Sequence, residues 1–199
     1  MGGQDKLGAI LRSHLFQLQG IDGAALIEFA VALPLLVVLA IGIFDFGGAF
    51  NLKQELNNAA REGARFGASQ PTNDILNTGT PPTIDAVRYL VASYLQGMRV
   101  NDCGLSTMPA PGGISGPMTW TYSTTGTCAR ALVLTITHPC ISPSCPAIAG
   151  ATNVYMPDTY VQISYPYQWH FNNVIQLLVP GANYAISNIT TDATAANMN

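Results

Sequence analysis

Residues Gly23 to Phe50, GAALIEFAVALPLLVVLAIGIFDFGGAF, form the one run in this chain long and apolar enough to cross a bilayer. A helix of about 27 residues reaches about 40 Å, against a hydrocarbon core of about 30 Å. Two acids interrupt the run, Glu28 near its start and Asp45 near its end. A carboxylate inside a membrane helix costs about 2.5–3.5 kcal/mol, so each acid calls for a partner or an interface. Asp45 lies about 26 Å beyond Glu28 along an ideal helix. It is therefore expected at the outer interface, facing water. Pro34 removes one helical hydrogen bond and is expected to kink or loosen the span.

Apolar residues make up 48% of the 199 and charged residues only 10%, well below the usual quarter. Past Gln70 the charges thin to Arg88, Arg99 and Arg130 against Asp74, Asp85, Asp102, Asp158 and Asp192. Ser, Thr and Asn carry the polarity there, as suits a domain outside the cytoplasm. A net charge of −3 without a basic stripe argues against nucleic acid as a partner. All four cysteines, Cys103, Cys128, Cys140 and Cys145, follow the apolar run. An even count in one outer domain reads as two disulfides in an oxidising compartment. The favoured pairs are Cys103–Cys128 and Cys140–Cys145, with Ile141-Ser-Pro-Ser144 closing a short loop in the second. A zinc site that adds His138 is the rival, but the spacings lack the usual two short pairs.

Asn51 to Ala68 continues the helix beyond the membrane. Leu52, Leu56, Ala59/Ala60, Gly63 and Gly67 recur at three-to-four spacing, with Lys53, Arg61, Glu62 and Arg65 among the polar remainder. A stripe of such small residues lets another backbone approach, either the sheet of its own domain or a neighbour's helix. Pro71 ends this helix. Thr80-Pro-Pro-Thr83 opens a second one. Ile84, Val87, Leu90/Val91, Tyr94/Leu95 and Met98 give it one apolar face, with the Tyr and Met as core filler. Gly104 to Pro117 reads as a loop. Four strands are expected next: Met118–Tyr122, Ala131–Thr137, Tyr160–Tyr165 and Tyr184–Thr191, with a loop over 139–158. Pro166 marks the end of the third strand or an edge. Asn173–Val179 could form a short helix before Pro180-Gly181.

Phosphate-binding, dinucleotide-binding and zincin patterns are missing from the sequence. Gly113-Ile-Ser-Gly116 fails as a hydrolase elbow because Pro117 stands where glycine is needed. His138 and His170 read as structural. The expectation is a protein that is not an enzyme and carries no cofactor, metal or catalytic residue.

Gly23-Ala-Ala-Leu-Ile-Glu28-Phe29 resembles the processing site of type IV prepilins, where a membrane peptidase cuts after the glycine. With Leu33-Pro34-Leu35-Leu36 and the later Ala59-Ala-Arg-Glu-Gly-Ala-Arg-Phe66, the pattern is similar to the TadE-like family. Those are pilin-like minor components of tight-adherence (Flp-type) pilus systems. The resemblance implies a prepilin-type leader over 1–23, a cut between Gly23 and Ala24, a transmembrane helix over 24–50, its extension over 51–70 and an α+β domain over 71–199. That domain would hold a second helix and an antiparallel sheet of about four strands on the periplasmic side. A conventional signal peptide is cut after its apolar run; here the run stays. The new α-amine of Ala24 would lie one turn from Glu28, able to meet it within one chain or between neighbours. Such a pair is strongly favoured over two unpaired charges in a low dielectric. Snorkelling to the headgroups is the simpler fate for Glu28.

The implied function is a minor pilin or pseudopilin of the inner membrane, active in pilus assembly and surface adhesion. Its implied partners are a prepilin peptidase, other pilins, the inner-membrane assembly platform and membrane lipid. The alternative is a permanently anchored periplasmic binding or scaffold module. Orientation follows from the cysteines, which place residues 1–22 inside.

Overall fold

The computed structural model describes residues 4–71, 74, 79–109, 118–140, 158–172, 176, 181 and 186–197, with side chains from Gly23 onward save Pro139 and Cys140. Helix α1 runs from Gln4 to Ala68 and continues through Pro34 without a break. Helix α2 spans Pro82–Gly97, and a 3₁₀ turn covers Leu105–Thr107. Strands β1 (Thr119–Thr124), β2 (Leu132–Cys140), β3 (Asp158–Gln168) and β4 (Ile186–Ala196) form an antiparallel sheet in the order β1-β2-β3-β4. The chain divides into two compact units, Met1–Asp45 with His170–Asn183, and Phe46–Trp169 with Tyr184–Asn199. The α+β class and the four-stranded antiparallel sheet are those expected from the sequence.

In the second unit the core is three-layered in composition. Leu56, Ala59, Ala60 and Ala64 of α1 are buried with Ile84, Val87, Val91 and Leu95 of α2 and the inner face of the sheet. Trp120 and Tyr122, then Leu132, Leu134 and Ile136, then Val161, Ile163 and Tyr165 supply that face by strict alternation. The small-residue stripe of α1 is thus an intramolecular core element. A Cβ on Gly63 would come within 2.9 Å of Val91, and one on Gly67 within 2.6 Å of Thr159. Arg61, Glu62 and Arg65 point away to solvent, with Arg65 3.7 Å from Glu62.

Helix α2 is capped at a distance. Pro81 is its N-cap and makes no side-chain cap bond. Asp74 instead accepts from the Thr83 amide and hydroxyl, both at 3.0 Å. This satisfies one of the amides that a helix start leaves unpaired and places a negative charge at the positive end of the dipole. At the other end Val100 N–H bonds the Leu95 carbonyl and Arg99 N–H the Gln96 carbonyl, with Arg99 at φ 61°. These bonds form a Schellman ending with arginine where glycine is usual. Met98 therefore caps the helix and is 47% exposed, not core filler as expected.

Several boundaries differ from the expected ones. The loop after Cys103 contains the 3₁₀ turn, because Leu105 plugs the core. β2 continues to Cys140 past a register shift between Thr137 and Cys140. β3 passes straight through Pro166 to Gln168. Pairing with β2 begins only at Ser164, so Pro166 has β4 alone as a strand neighbour, opposite Asn188. A proline there removes no bond from a central ladder. β4 runs five residues beyond the expected Thr191, held by pairing to Asp158–Gln162. The expected helix Asn173–Val179 lies largely outside the described residues.

One charged group of the domain lies deep in the core. The Arg88 guanidinium is buried; its Nε donates to Asp85 at 2.8 Å and one terminal nitrogen to the Leu105 and Ser106 carbonyls at 2.5 and 3.2 Å. Tyr122 donates its hydroxyl to the same Asp85 at 3.3 Å. This network ties α2, the 3₁₀ turn and β1 together. Cys103 and Cys128 form a disulfide; Cys145 and the side chain of Cys140 lie outside the described residues. Gly126, at φ 40°, could not carry a Cβ without colliding with the Cys103 carbonyl.

His138 is buried, with Nδ1 2.7 Å from Thr159 Oγ1, whose own proton goes to Asn197 Oδ1 at 2.8 Å. That relay makes Nδ1 the protonated nitrogen and leaves Nε2 buried without a partner among the described residues. Burial pushes the imidazole pKa below its ordinary value, against a small opposing pull from Asp74. A depressed histidine pKa means that the unfolded chain takes up the proton first as pH falls. Stability is full above about pH 6.5 and declines below it. The urea midpoint of the wild type should therefore drop more between pH 7 and pH 5 than that of His138→Asn, which keeps a donor to Thr159. The difference between the two proteins isolates the imidazole from Asp158, whose carboxyl burial pushes up in pKa and which acts in the opposite sense.

The packing of α1 generates a second expectation. Gly63→Val should lower stability by about 1–3 kcal/mol through overpacking. Arg61→Ala, on the exposed face of the same turn, should change it by less than about 0.5 kcal/mol. Denaturant titration of the full chain in detergent measures both.

Candidate functional site

From Gly23 to Ala68, α1 is the one helix among the described residues long and apolar enough to cross a membrane, and its most apolar window is wholly unburied. Leu26, Ile27, Phe29, Val31, Leu35, Leu36, Leu39, Ile43 and Phe44 all project outward with more than half of their surface exposed. A helix apolar on every side is stable only in lipid or among other helices.

Gly23 and Ala24 lie inside this helix, so the peptide bond joining them has helical geometry. Glycine lowers helix stability there by about 0.8–1.0 kcal/mol relative to alanine, which eases local unwinding. Glu28 is exposed and forms no hydrogen bond or ion pair among the described residues. Phe29 beside it is exposed as well. The structure places Gly23, Ala24, Glu28 and Phe29 within two turns of one helix, and Pro34 a turn and a half further on.

Asp45 differs from expectation. It does not face water: only 5% of it is exposed. One carboxylate oxygen accepts from the Phe171 amide at 2.6 Å, and the other lies 2.9 Å from His170 Nδ1. The carboxylate thus holds the chain segment that follows β3, 125 residues away, onto the helix within the first unit. The His170 side chain is 82% exposed, so the amide bond to the buried carboxylate is the firmer tie. His170 reads as structural in the sequence and makes a structural contact here; the burial of Asp45 is what was not expected. A signal existed in the helix phase. Asp45, Ala49, Leu52, Leu56, Ala59, Gly63 and Gly67 continue one three-to-four series, and all but the partly buried Leu52 are buried.

Residues 23–65 match the family model described as TadE-like protein. The match begins at Gly23 and ends at Arg65, inside α1, so the sheet lies outside it. No curated protein and no solved structure matches the chain. Within the matched span the small residues Ala59, Ala60, Gly63 and Ala64 are core, whereas Glu28, Arg61, Glu62 and Arg65 are exposed. Packing explains the first group and leaves the second available to other molecules.

Loss of the Asp45 carboxylate should free the segment it holds. In Asp45→Ala, amide exchange at Phe171 should quicken by about tenfold to a hundredfold, the equivalent of the 1.5–3 kcal/mol typical of a hydrogen bond to a charged group. Asp45→Asn keeps one acceptor and should fall between the variant and the wild type. Hydrogen–deuterium exchange of the full chain in detergent reads the effect.

Proposed function

We propose that this chain is a minor pilin-like component of a tight-adherence (Flp-type) pilus system, anchored in the inner membrane by a single helix over 24–50. In this reading a prepilin peptidase removes residues 1–23, and the domain over 71–199 stands in the periplasm. The protein then joins other pilins and the assembly platform, in pilus assembly and surface adhesion, with no catalysis or cofactor of its own. The match over 23–65 supports the family, which implies a pilus-associated, minor pilin-like protein. The Cys103–Cys128 bridge supports an oxidising compartment for the domain.

One observation carries the proposal. Glu28 stands exposed on an apolar helix with no partner among the described residues, five residues after the glycine of the prepilin-like motif. Cleavage after Gly23 creates an ammonium at Ala24, one turn from Glu28 in its own chain and within reach of a neighbour's. In low dielectric the two charges offset each other's insertion cost far better in a pair than apart. Glu28 thereby becomes a registration point between subunits.

The alternative, a permanently anchored scaffold module, draws on a specific feature: α1 continues from Gln4 straight through the Gly23–Ala24 bond, as an uncut anchor would. One experiment separates the readings. Mature protein from cells with an active prepilin peptidase should begin at Ala24. Glu28→Gln should still enter the membrane, more easily by about 2.5–3.5 kcal/mol, and still be cut, yet fail to associate with other pilins. An intact residue 1 favours the permanent anchor. A cut Glu28→Gln protein that supports normal pili removes the registration role.

A further inference from the structure

Within the second unit, Phe46, Phe50, Lys53, Trp169, Ile189 and Thr190 surround an open, mostly apolar groove of about 660 Å³. Phe46 and Phe50 are one helical turn apart and expose 65% and 64% of their surfaces. The Trp169 ring is fixed from several sides. Tyr167 meets it edge-on at 4.9 Å, Phe46 tilts against it at 5.3 Å, and its indole N–H donates to Ser187 Oγ at 2.6 Å. Gly48 leaves room for the Tyr167 hydroxyl, which a Cβ would meet at 3.0 Å. Lys53 is exposed and forms no ion pair among the described residues.

We infer that this groove is a phospholipid seat, in which the domain rests on the leaflet nearest to it and Lys53 meets a lipid phosphate. Two independent features point to lipid. The first is chain position. The apolar run reaches Phe50, but about 20 of its residues, roughly 24–44, are enough to span the hydrocarbon. Residues 46–53 cover about 10 Å more of helix, which carries them through a headgroup layer of about 5–8 Å. The second is composition. A Trp whose indole N–H is satisfied, a Tyr edge-on to it, exposed Phe, and a lysine beyond them match the amphipathic belt that side chains form at a membrane surface. Exposed aromatics in this number are costly in water and favourable at the glycerol level. The inference rests on the membrane-anchor reading and not on pilus assembly.

The test uses the full chain in vesicles of phosphatidylethanolamine and phosphatidylglycerol that carry lipids brominated either near the glycerol or near the bilayer centre. Trp120 is fully buried and common to both proteins, so the signal of wild type minus Trp169→Phe reports Trp169. Shallow bromines should quench that difference signal strongly and deep bromines weakly. Phe50→Glu should lose the shallow quenching while still floating with the vesicles. Vesicle-bound protein whose Trp169 no bromolipid quenches overturns the proposal. So does quenching that disappears as the protein-to-lipid ratio rises, since a second copy would then occupy the groove. Protein that does not float with the vesicles at all overturns the membrane anchor, and the groove proposal falls with it.

Discussion

How closely the backbone of α1 can approach its neighbours governs the architecture of the domain. At Gly63 and Gly67 the distance to Val91 and Thr159 leaves no room for even a methyl group. Such contact is possible only where side chains vanish, and protein interiors tolerate little deviation from close packing. It also explains a sequence that looks contradictory in isolation: a run alternating small residues with Arg61, Glu62 and Arg65. The small residues serve the chain's own core, and the charges remain on the surface. One helix thus meets two solvents. Apart from Glu28, lipid-compatible side chains cover all sides of residues 24–44, and a narrow stripe of alanine and glycine docks residues 59–68.

Local patterns made much of this legible. The apolar run, the three-to-four spacing of α2 and the alternation in β1, β2 and β3 are each written in one continuous stretch of sequence, and each appears where its pattern placed it. The contacts that remained hidden join distant segments through single polar atoms. Asp74 caps α2 from nine residues upstream, Arg88 reaches the Leu105 carbonyl, and Asp45 receives the Phe171 amide across 126 positions. No periodicity announces such bonds, because one carboxylate can serve any amide that tertiary structure brings to it. Pro166 lies at an edge position, one of the two places expected for it. Its local preference to end a strand is real, but the offset of β2 leaves that segment without a second neighbour, so the preference is never tested.

Asp45 and Glu28 show how little a residue type reveals without its surroundings. Both are acids in one apolar helix, separated by about 26 Å. Asp45 is satisfied inside the chain and acts as a structural clasp. Glu28 has no such contact and remains available for intermolecular chemistry. Surroundings also separate two of the histidines: His138 is sealed in a hydroxyl relay, and His170 lies at the surface bonded to a carboxylate.

The Cys103–Cys128 bridge has a mechanical consequence. Tension entering the domain through α1 and leaving beyond β2 must travel along covalent bonds, and the sulfur–sulfur link offers a shorter route than the 25-residue detour. β1 lies wholly within that bypassed loop. The edge strand is therefore never in series with an applied pull. It can be peeled only sideways, by loss of its pairing with β2, whereas β2, β3 and α2 bear the load. A subunit stretched end to end would keep its buried Trp120 and Tyr122 in place until those elements gave way.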